Sequence, residues 1–406
     1  AVYYSRMLTA LLLLPSLSLS WALALQSAMP LQPSRHGARY LMMSSADEGI
    51  EAYAAAITAA AAKQVPFTAG EVASAIKSMA NLVGEQPWSP AYGQWVSSNA
   101  HIPHKDWART ERSAASLAKL VGPATTNFRS IFEVVLGDGG WDAAAATASR
   151  RGADNKPWAV LVTGVNGIRK TTSVYQPWFR EALAAALGEQ FRGEMSSLPA
   201  GDDSYFRQLD YMMATMANEE FRALYELDNI ATYSQLKSAI FARYRTIAEA
   251  VGVMLVKEAR EKGLNVMVET SGRDIAMFQY LDTFFPDSEY NKLVVHFTVN
   301  NIEHAEASVD MRMTQEMATG HEALISAAPA ITLVRANMGG PYGSAGGVLR
   351  GVQGDAQAVW ERVAAGGKDA PGRSWFKAPI AIEASAGNEG WVASTGGKRF
   401  DFVPPS

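Results

Sequence analysis

The sequence predicts an α/β fold: a mainly parallel sheet flanked by helices and preceded by a helical N-terminal region. Three observations carry this expectation. Short apolar runs rich in Val, Ile and Leu alternate with long helical stretches, as successive βα units do. One such run, residues 159–162, passes directly into a glycine-bearing turn and a helix start. Another, residues 264–268, ends on the carboxylate of Glu269, and open parallel sheets gather ligands at the carboxyl ends of their strands.

Residues 159–162 read Ala-Val-Leu-Val, a short apolar run that suits a strand covered on both faces. The chain continues Gly164-Val165-Asn166-Gly167-Ile168-Arg169-Lys170-Thr171-Thr172. Gly164, Asn166 and Gly167 tolerate positive φ and let a backbone approach closely. A helix opens at Lys170 and continues through Trp178, Phe179, Ala182, Leu183 and Leu187. In such a turn the loop and helix N–H groups converge and the helix dipole adds positive potential, so a phosphate chain fits. Lys170 reaches the outer phosphates, and the Thr171 hydroxyl suits Mg²⁺. The spacing is that of the phosphate-binding P-loop, G-x-x-x-x-G-K-[ST], with Arg169 where the motif has its second glycine. The sheet expected around it is of the P-loop NTPase type. Arg169 leaves two outcomes open: it crowds the phosphates, or it points outward and adds positive charge near them.

The chain has 406 residues, a net charge of −4 and no cysteine. Its length allows two or three domains and an ample core. No strongly basic segment occurs, so a nucleic-acid partner is not expected. Disulfides, thiol nucleophiles and cysteine metal sites are excluded. The absence of a Gly-x-Ser-x-Gly elbow and of a Gly-x-Gly-x-x-Gly turn disfavours a serine hydrolase and a dinucleotide oxidoreductase. Residues 8–25 are apolar around Leu11, Leu12, Leu13 and Leu14 but are interrupted by Pro15 and hydroxyl residues. They fit a secretory signal segment better than a membrane span, with Ala22-Leu23-Ala24 as its small-residue site. Residues 25–46 contain no acid and carry Arg35, His36 and Arg39. Residues 1–46 are therefore expected to form a signal-plus-transit segment that directs the chain to a plastid, with secretion as the alternative. The mature chain is not expected to sit in a membrane.

Residues 47–150 are the helical region, with helices at 50–62, at 69–82 after Pro66, at about 108–120, and onward to about 150. Its surface is a candidate for a protein partner. His101 and His104 are three apart, but Pro103 lies between them and no further ligand is near, so a solvated loop is preferred to a metal site. The polar run of residues 150–156 reads as a linker into an α/β domain covering 151–406. A long helical pattern then carries Phe206, Leu209, Met212, Met213, Met216, Phe221 and Leu224 on its apolar side. A helix over 233–262 ends at Gly263, a good C-cap residue. Further strands are expected at 293–299, 331–334 and 379–383, helices around 302–315 and 357–364, and a glycine-rich loop over 339–347. Glu269 is expected to share a crevice with Lys170, where a carboxylate holds Mg²⁺ and Arg273 holds a phosphate or the acceptor.

With the phosphate loop, the helix ending at Gly263 and the run Val268-Glu269-Thr270-Ser271-Gly272-Arg273-Asp274 in place, residues of about 157 to 315 resemble the zeta-toxin family of P-loop kinases. That family pairs a P-loop with a later strand ending in a Glu-Gly-Thr-x-Arg type of turn. A helix, a strand and an arginine-bearing helix follow, the last carrying Arg312 here. The resemblance implies a kinase that uses ATP or GTP and Mg²⁺ to phosphorylate a hydroxyl of a small molecule. It implies Lys170 on the phosphates, Thr171 and Glu269 at the metal, and Arg273 and Arg312 as charge stabilisers, with Arg335 and Arg350 in reserve. It also implies an aspartate base near the start of an Asp-x-Phe-Arg segment. Asp203, in Asp203-Ser204-Tyr205-Phe206-Arg207, is preferred; Asp210, Glu219 and Glu220 are the alternatives. The competing reading is a nucleotide-binding assembly protein in which Arg169 marks lost turnover and the helical region meets the partner.

Overall fold

The structure, a computed structural model, describes residues 55, 59, 67–83, 90–122, 133–341, 347–367, 371–384 and 390–403. The expected targeting segment, nearly all of the helix at 50–62 and the middle of the glycine-rich loop lie outside the described residues.

One sheet organises the chain. Its strands are β1 (Trp158–Thr163), β2 (Ser204–Arg207), β3 (Asn265–Glu269), β4 (Asn291–Val299), β5 (Phe376–Ala384), β6 (Trp391–Thr395) and β7 (Lys398–Asp401). The spatial order is β2-β3-β1-β4-β5-β6-β7. The first five run parallel, and β6 and β7 extend the sheet antiparallel. All six residues of β1 are buried, as its unbroken apolar run requires. The pleat sends alternate side chains to opposite faces. Val160 and Val162 pack with Phe179 and Leu183, whereas Ala159 and Leu161 belong to a second core that includes Val251 and Leu255.

Helices fill both faces. α1 (Ala69–Val83), α2 (Pro90–Asn99), α3 (Trp107–Val121) and α4 (Trp141–Arg150) precede β1. α5 (Lys170–Val174) and α6 (Phe179–Leu187) follow it. α7 (Leu209–Met216), α8 (Asn218–Leu224) and α9 (Ile230–Glu261) join β2 to β3, and α10 (Ala276–Phe284) joins β3 to β4. α11 (Ile302–Ile325), α12 (Ala330–Ala336) and α13 (Val348–Ala364) lead to β5. α9 is the spine of one face. Asn229 caps its start by accepting the Thr232 N–H at 2.9 Å, and Gly263, at φ +63°, turns the chain out of it. Among the described residues no helix is long and apolar enough to cross a membrane.

The N-terminal helices share this core rather than forming one of their own. Phe67, Trp95, Trp107, Leu117 and Trp141 lie in one apolar cluster with Val251, Leu255, Val266 and Leu161. Polar contacts lock the same interface. Arg243 of α9 lies 4.0 Å over the Phe67 ring and pairs with Glu71 at 2.5 Å. Lys257 pairs with Glu111 at 2.7 Å, and the Trp107 indole N–H donates to the Ala276 carbonyl at 2.9 Å. The run 150–156 is tied down as well, since Arg151 donates to the Gly263 carbonyl and to the Asn265 side chain. The boundary expected at 150/151 therefore separates no independent core.

Two element expectations are also corrected. Residues 331–334 belong to helix α12, not to a strand: Pro329 stands at its N-cap, and Leu333 and Val334 are buried one turn along. The helical pattern expected from Phe206 is instead β2, α7 and α8 in succession. A chain beginning at Ala153 would leave the α9 face bare. It is expected to lose the cooperative thermal transition of the full chain by circular dichroism; a retained sharp transition would restore the boundary.

Candidate functional site

The site is built at the carboxyl end of β1. Parallel pairing sets Val162 beside Glu269 at the end of β3. The loop after β1 is held tightly from outside. Gly164 has φ +134° and Gly167 φ +85°; a Cβ would meet the Phe297 carbonyl at 2.5 Å at the first and the Ala305 carbonyl at 2.3 Å at the second. Only glycine satisfies both the conformation and the close approach. None of the backbone N–H groups from Val165 to Thr172 donates a hydrogen bond to a described residue. Backbone N–H groups are nearly always paired, so an unpaired run of them is a concavity suited to an anion.

Three side chains meet at one end of this run. Lys170 is buried, donates to the Val165 carbonyl at 2.8 Å and pairs with Glu269 Oε1 at 3.1 Å. The Thr171 hydroxyl donates to Glu269 Oε2 at 2.6 Å. Burial alone would raise the Glu269 carboxyl, but Lys170, the Thr171 hydroxyl and Arg312 outweigh it and hold the group below the usual carboxylate range. Of the other loop residues, Ile168 is fully buried and Asn166 and Thr172 are half-buried. Arg169 adopts φ +65°, the left-handed conformation that the motif's glycine would favour. Its side chain is exposed and its guanidinium lies 5.5 Å over the Trp391 ring. The outward outcome is thus the observed one.

Asp203 is not in this site. It precedes Ser204, which pairs with Asn265 at the opposite end of the parallel sheet. That end lies roughly 13 Å from Glu269 at about 3.3 Å per residue. Its carboxylate is occupied there by Arg180 at 2.6 Å, the Ala200 N–H at 3.0 Å and the Ser204 hydroxyl at 2.9 Å. Asp210 is near enough to Glu269 and Arg312 to interact electrostatically with both. Arg207 pairs beside Val268, so β2 delivers Asp210 to the same edge as Glu269. Burial pushes the Asp210 carboxyl above its usual range, with Lys237 and Arg312 offsetting part of that rise and Glu269 adding to it. Glu220 faces elsewhere: it accepts the Tyr244 hydroxyl at 2.6 Å, toward the N-terminal helices, and Glu219 is its neighbour on α8.

Arg312 of α11 is half-buried, acts electrostatically on both Asp210 and Glu269, and donates to the Gly340 carbonyl at 2.6 Å. Its Nε is buried without a partner among the described residues. Arg273 is exposed on the turn after Glu269; that turn is pressed against β1, where a Cβ on Gly272 would meet the Thr163 Cβ at 2.8 Å. The two reserve arginines are engaged elsewhere, Arg335 with Glu133 and Asp138 and Arg350 with Glu303 and Glu306.

Sequence reasoning missed a buried polar group next to Asp210. Lys237 of α9 forms an ion pair with Glu316 of α11, both fully buried, and the Tyr233 hydroxyl donates to Glu316 at 2.9 Å. One signal was present: Glu316 lies one helical turn after Arg312, on the same side of α11. No protein-family model matches the chain, and no curated protein matches it either.

Removing one member of a buried pair strands the other. Lys237→Met is expected to cost about 3–5 kcal/mol of unfolding free energy in denaturant titration, with Lys237→Met/Glu316→Leu recovering much of it. Equal losses in both variants would mean that the pair does not act as a unit.

Proposed function

We propose that this protein is a P-loop kinase that transfers the γ-phosphoryl group of ATP or GTP to a hydroxyl of a small molecule. The observation that carries the reading is the meeting of Lys170, Thr171 and Glu269 beside the unpaired N–H groups of residues 165–172, at the carboxyl edge of the sheet. The resemblance of residues 157–315 to the zeta-toxin family points the same way. The competing reading, a nucleotide-binding assembly protein in which Arg169 marks lost turnover, is separated from this one by the turnover measurements below.

Mg²⁺ keeps most of its waters and phosphate oxygens and takes one or two protein oxygens. The Thr171 hydroxyl and the Glu269 carboxylate, 2.6 Å apart, fit that demand. Among the described residues no group of three or more His, Asp or Glu offers another metal site. Bound there, Mg²⁺ would neutralise charge on the phosphates. The chain's own residues supply the rest. The loop N–H groups hold the phosphate chain, and Lys170 adds a buried positive charge to it. Arg312, which acts electrostatically on Glu269, would stabilise charge as the phosphoryl group moves, and the exposed Arg273 would meet the acceptor.

Asp210 is the base in this reading and replaces Asp203. It removes the acceptor's hydroxyl proton while anionic. Its raised pKa brings it nearer the working pH, where a general base is most effective. The sign of the pH dependence follows: activity is present above the folded-state pKa of Asp210 and is lost as pH falls through it. The acid limb of kcat is therefore expected above the ordinary aspartate range.

The test compares four variants by nucleotide hydrolysis and by phosphoryl transfer to a panel of nucleosides and nucleotide sugars. Asp210→Asn is expected to lower turnover by roughly 10²–10⁴-fold with nucleotide affinity kept. Asp203→Asn is expected to leave turnover near wild type. Glu269→Gln should lower turnover, and Lys170→Ala should weaken Mg·nucleotide binding by about 2 kcal/mol. Wild-type turnover in Asp210→Asn, or its loss in Asp203→Asn alone, would sink the assignment.

A further inference from the structure

We propose that Arg169 and Trp391 form a stacking platform for the nucleobase of the phosphate donor, an inference that rests on the phosphate-loop reading above. The backbones that carry the two side chains are held from opposite sides. The Arg169 carbonyl accepts both the Ser173 N–H and the Ser173 hydroxyl at 2.8 Å, which fixes the arginine's left-handed backbone at the head of α5. Trp391 opens β6, and its carbonyl accepts the Phe402 N–H at 3.2 Å. The β6–β7 hairpin is fastened to the segment after the phosphate loop. Gln176 exchanges two hydrogen bonds with the Val403 backbone, at 3.2 and 2.8 Å. The Trp178 indole donates to the Asp401 carbonyl at 2.8 Å while its ring stacks on Phe400 at 5.4 Å. The spacing between the loop and the backbone of β6 is thus set by the fold.

Between them lies the Arg169 guanidinium, 5.5 Å over the indole. The side chain is exposed and makes no hydrogen bond or ion pair with a described residue. A guanidinium is planar, weakly hydrated and stacks on aromatic faces. The guanidinium lies over the Trp391 ring on one side and is otherwise exposed beside the loop that would hold the phosphates, where a nucleobase tethered to that phosphate chain is the planar group within reach. Stacking reads the π-face and not the base edge, so adenine and guanine are accepted alike. Direct contact with the phosphates is the alternative use of an arginine, but the indole draws this one out of the loop.

The test is calorimetric titration of the full chain, at fixed free Mg²⁺, with ATP, GTP and inorganic tripolyphosphate. Arg169→Ala is expected to weaken ATP and GTP to a similar extent, roughly tenfold, and to leave tripolyphosphate unchanged. Trp391→Leu should act in the same direction, and Trp391→Phe should preserve binding. Unchanged ATP affinity in Arg169→Ala overturns the platform. So does an equal loss of tripolyphosphate, which would place the guanidinium on the phosphates. Lys170→Ala separates the two levels of the argument: loss of tripolyphosphate binding there upholds the phosphate loop while the platform is judged. A wild-type chain that binds none of the three ligands overturns both.

Discussion

The carboxylate of Glu269 is the point on which the rest of the arrangement turns. It ends β3, and its two oxygens are held by Lys170 and Thr171 from the helix that follows β1. Two neighbouring parallel strands are thereby joined at their carboxyl ends by an ion pair and a short hydrogen bond, over and above their ladder. The Glu269 side chain is half-buried, and its charge is both paired and hydrogen-bonded by residues of the turn and helix after β1. The same contacts favour the anionic form of the carboxylate. Loop, carboxylate and strand ends are therefore one structural unit.

Around that unit the chain spends buried charge freely. Arg207 pairs with Glu249 at 2.8 Å with both side chains buried, and its guanidinium lies 5.1 Å over the Tyr280 ring. Lys237 and Glu316 repeat the pattern nearer Asp210. Such pairs give little net stability compared with apolar residues of the same volume. Their effect here is on position. They fix α9 and α11 relative to the strand edge, and so fix the surroundings of Asp210 and Arg312. The N-terminal helices contribute to the same end. Lys105 pairs with Asp274 immediately after Arg273, and Trp107 packs edge-on against Tyr280 at 5.0 Å. The helical region thus braces the turn on which Arg273 stands.

Much of this was legible in the sequence where local chemistry is specific. The run before Gly164 suits a buried strand, and β1 lies there; β3, β4 and β5 likewise lie where apolar runs meet turn residues. The left-handed positions at Gly164 and Gly167 follow from residue type. What sequence could not show is what long-range packing decides. β2 is four residues long and fully buried, and its pattern Ser-Tyr-Phe-Arg merges into the helical periodicity that follows. Missing it set the expected base at Asp203, because only the strand reveals that Asp203 and Asp210 stand at opposite ends of the strands. Residues 331–334 are an apolar run whose strand or helix state is set by docking, not by propensity. The destination of Arg169 depended on Trp391, more than two hundred positions away in sequence.

The central claim is that the unpaired N–H groups of residues 165–172 exist to hold a phosphate chain. Hydrogen–deuterium exchange followed by mass spectrometry reads those groups directly. Adding Mg·ATP should slow exchange across the peptide containing residues 164–172, whereas adenosine at the same concentration should not. An unchanged exchange rate in that peptide under saturating Mg·ATP, with wild-type folding intact, would contradict the account.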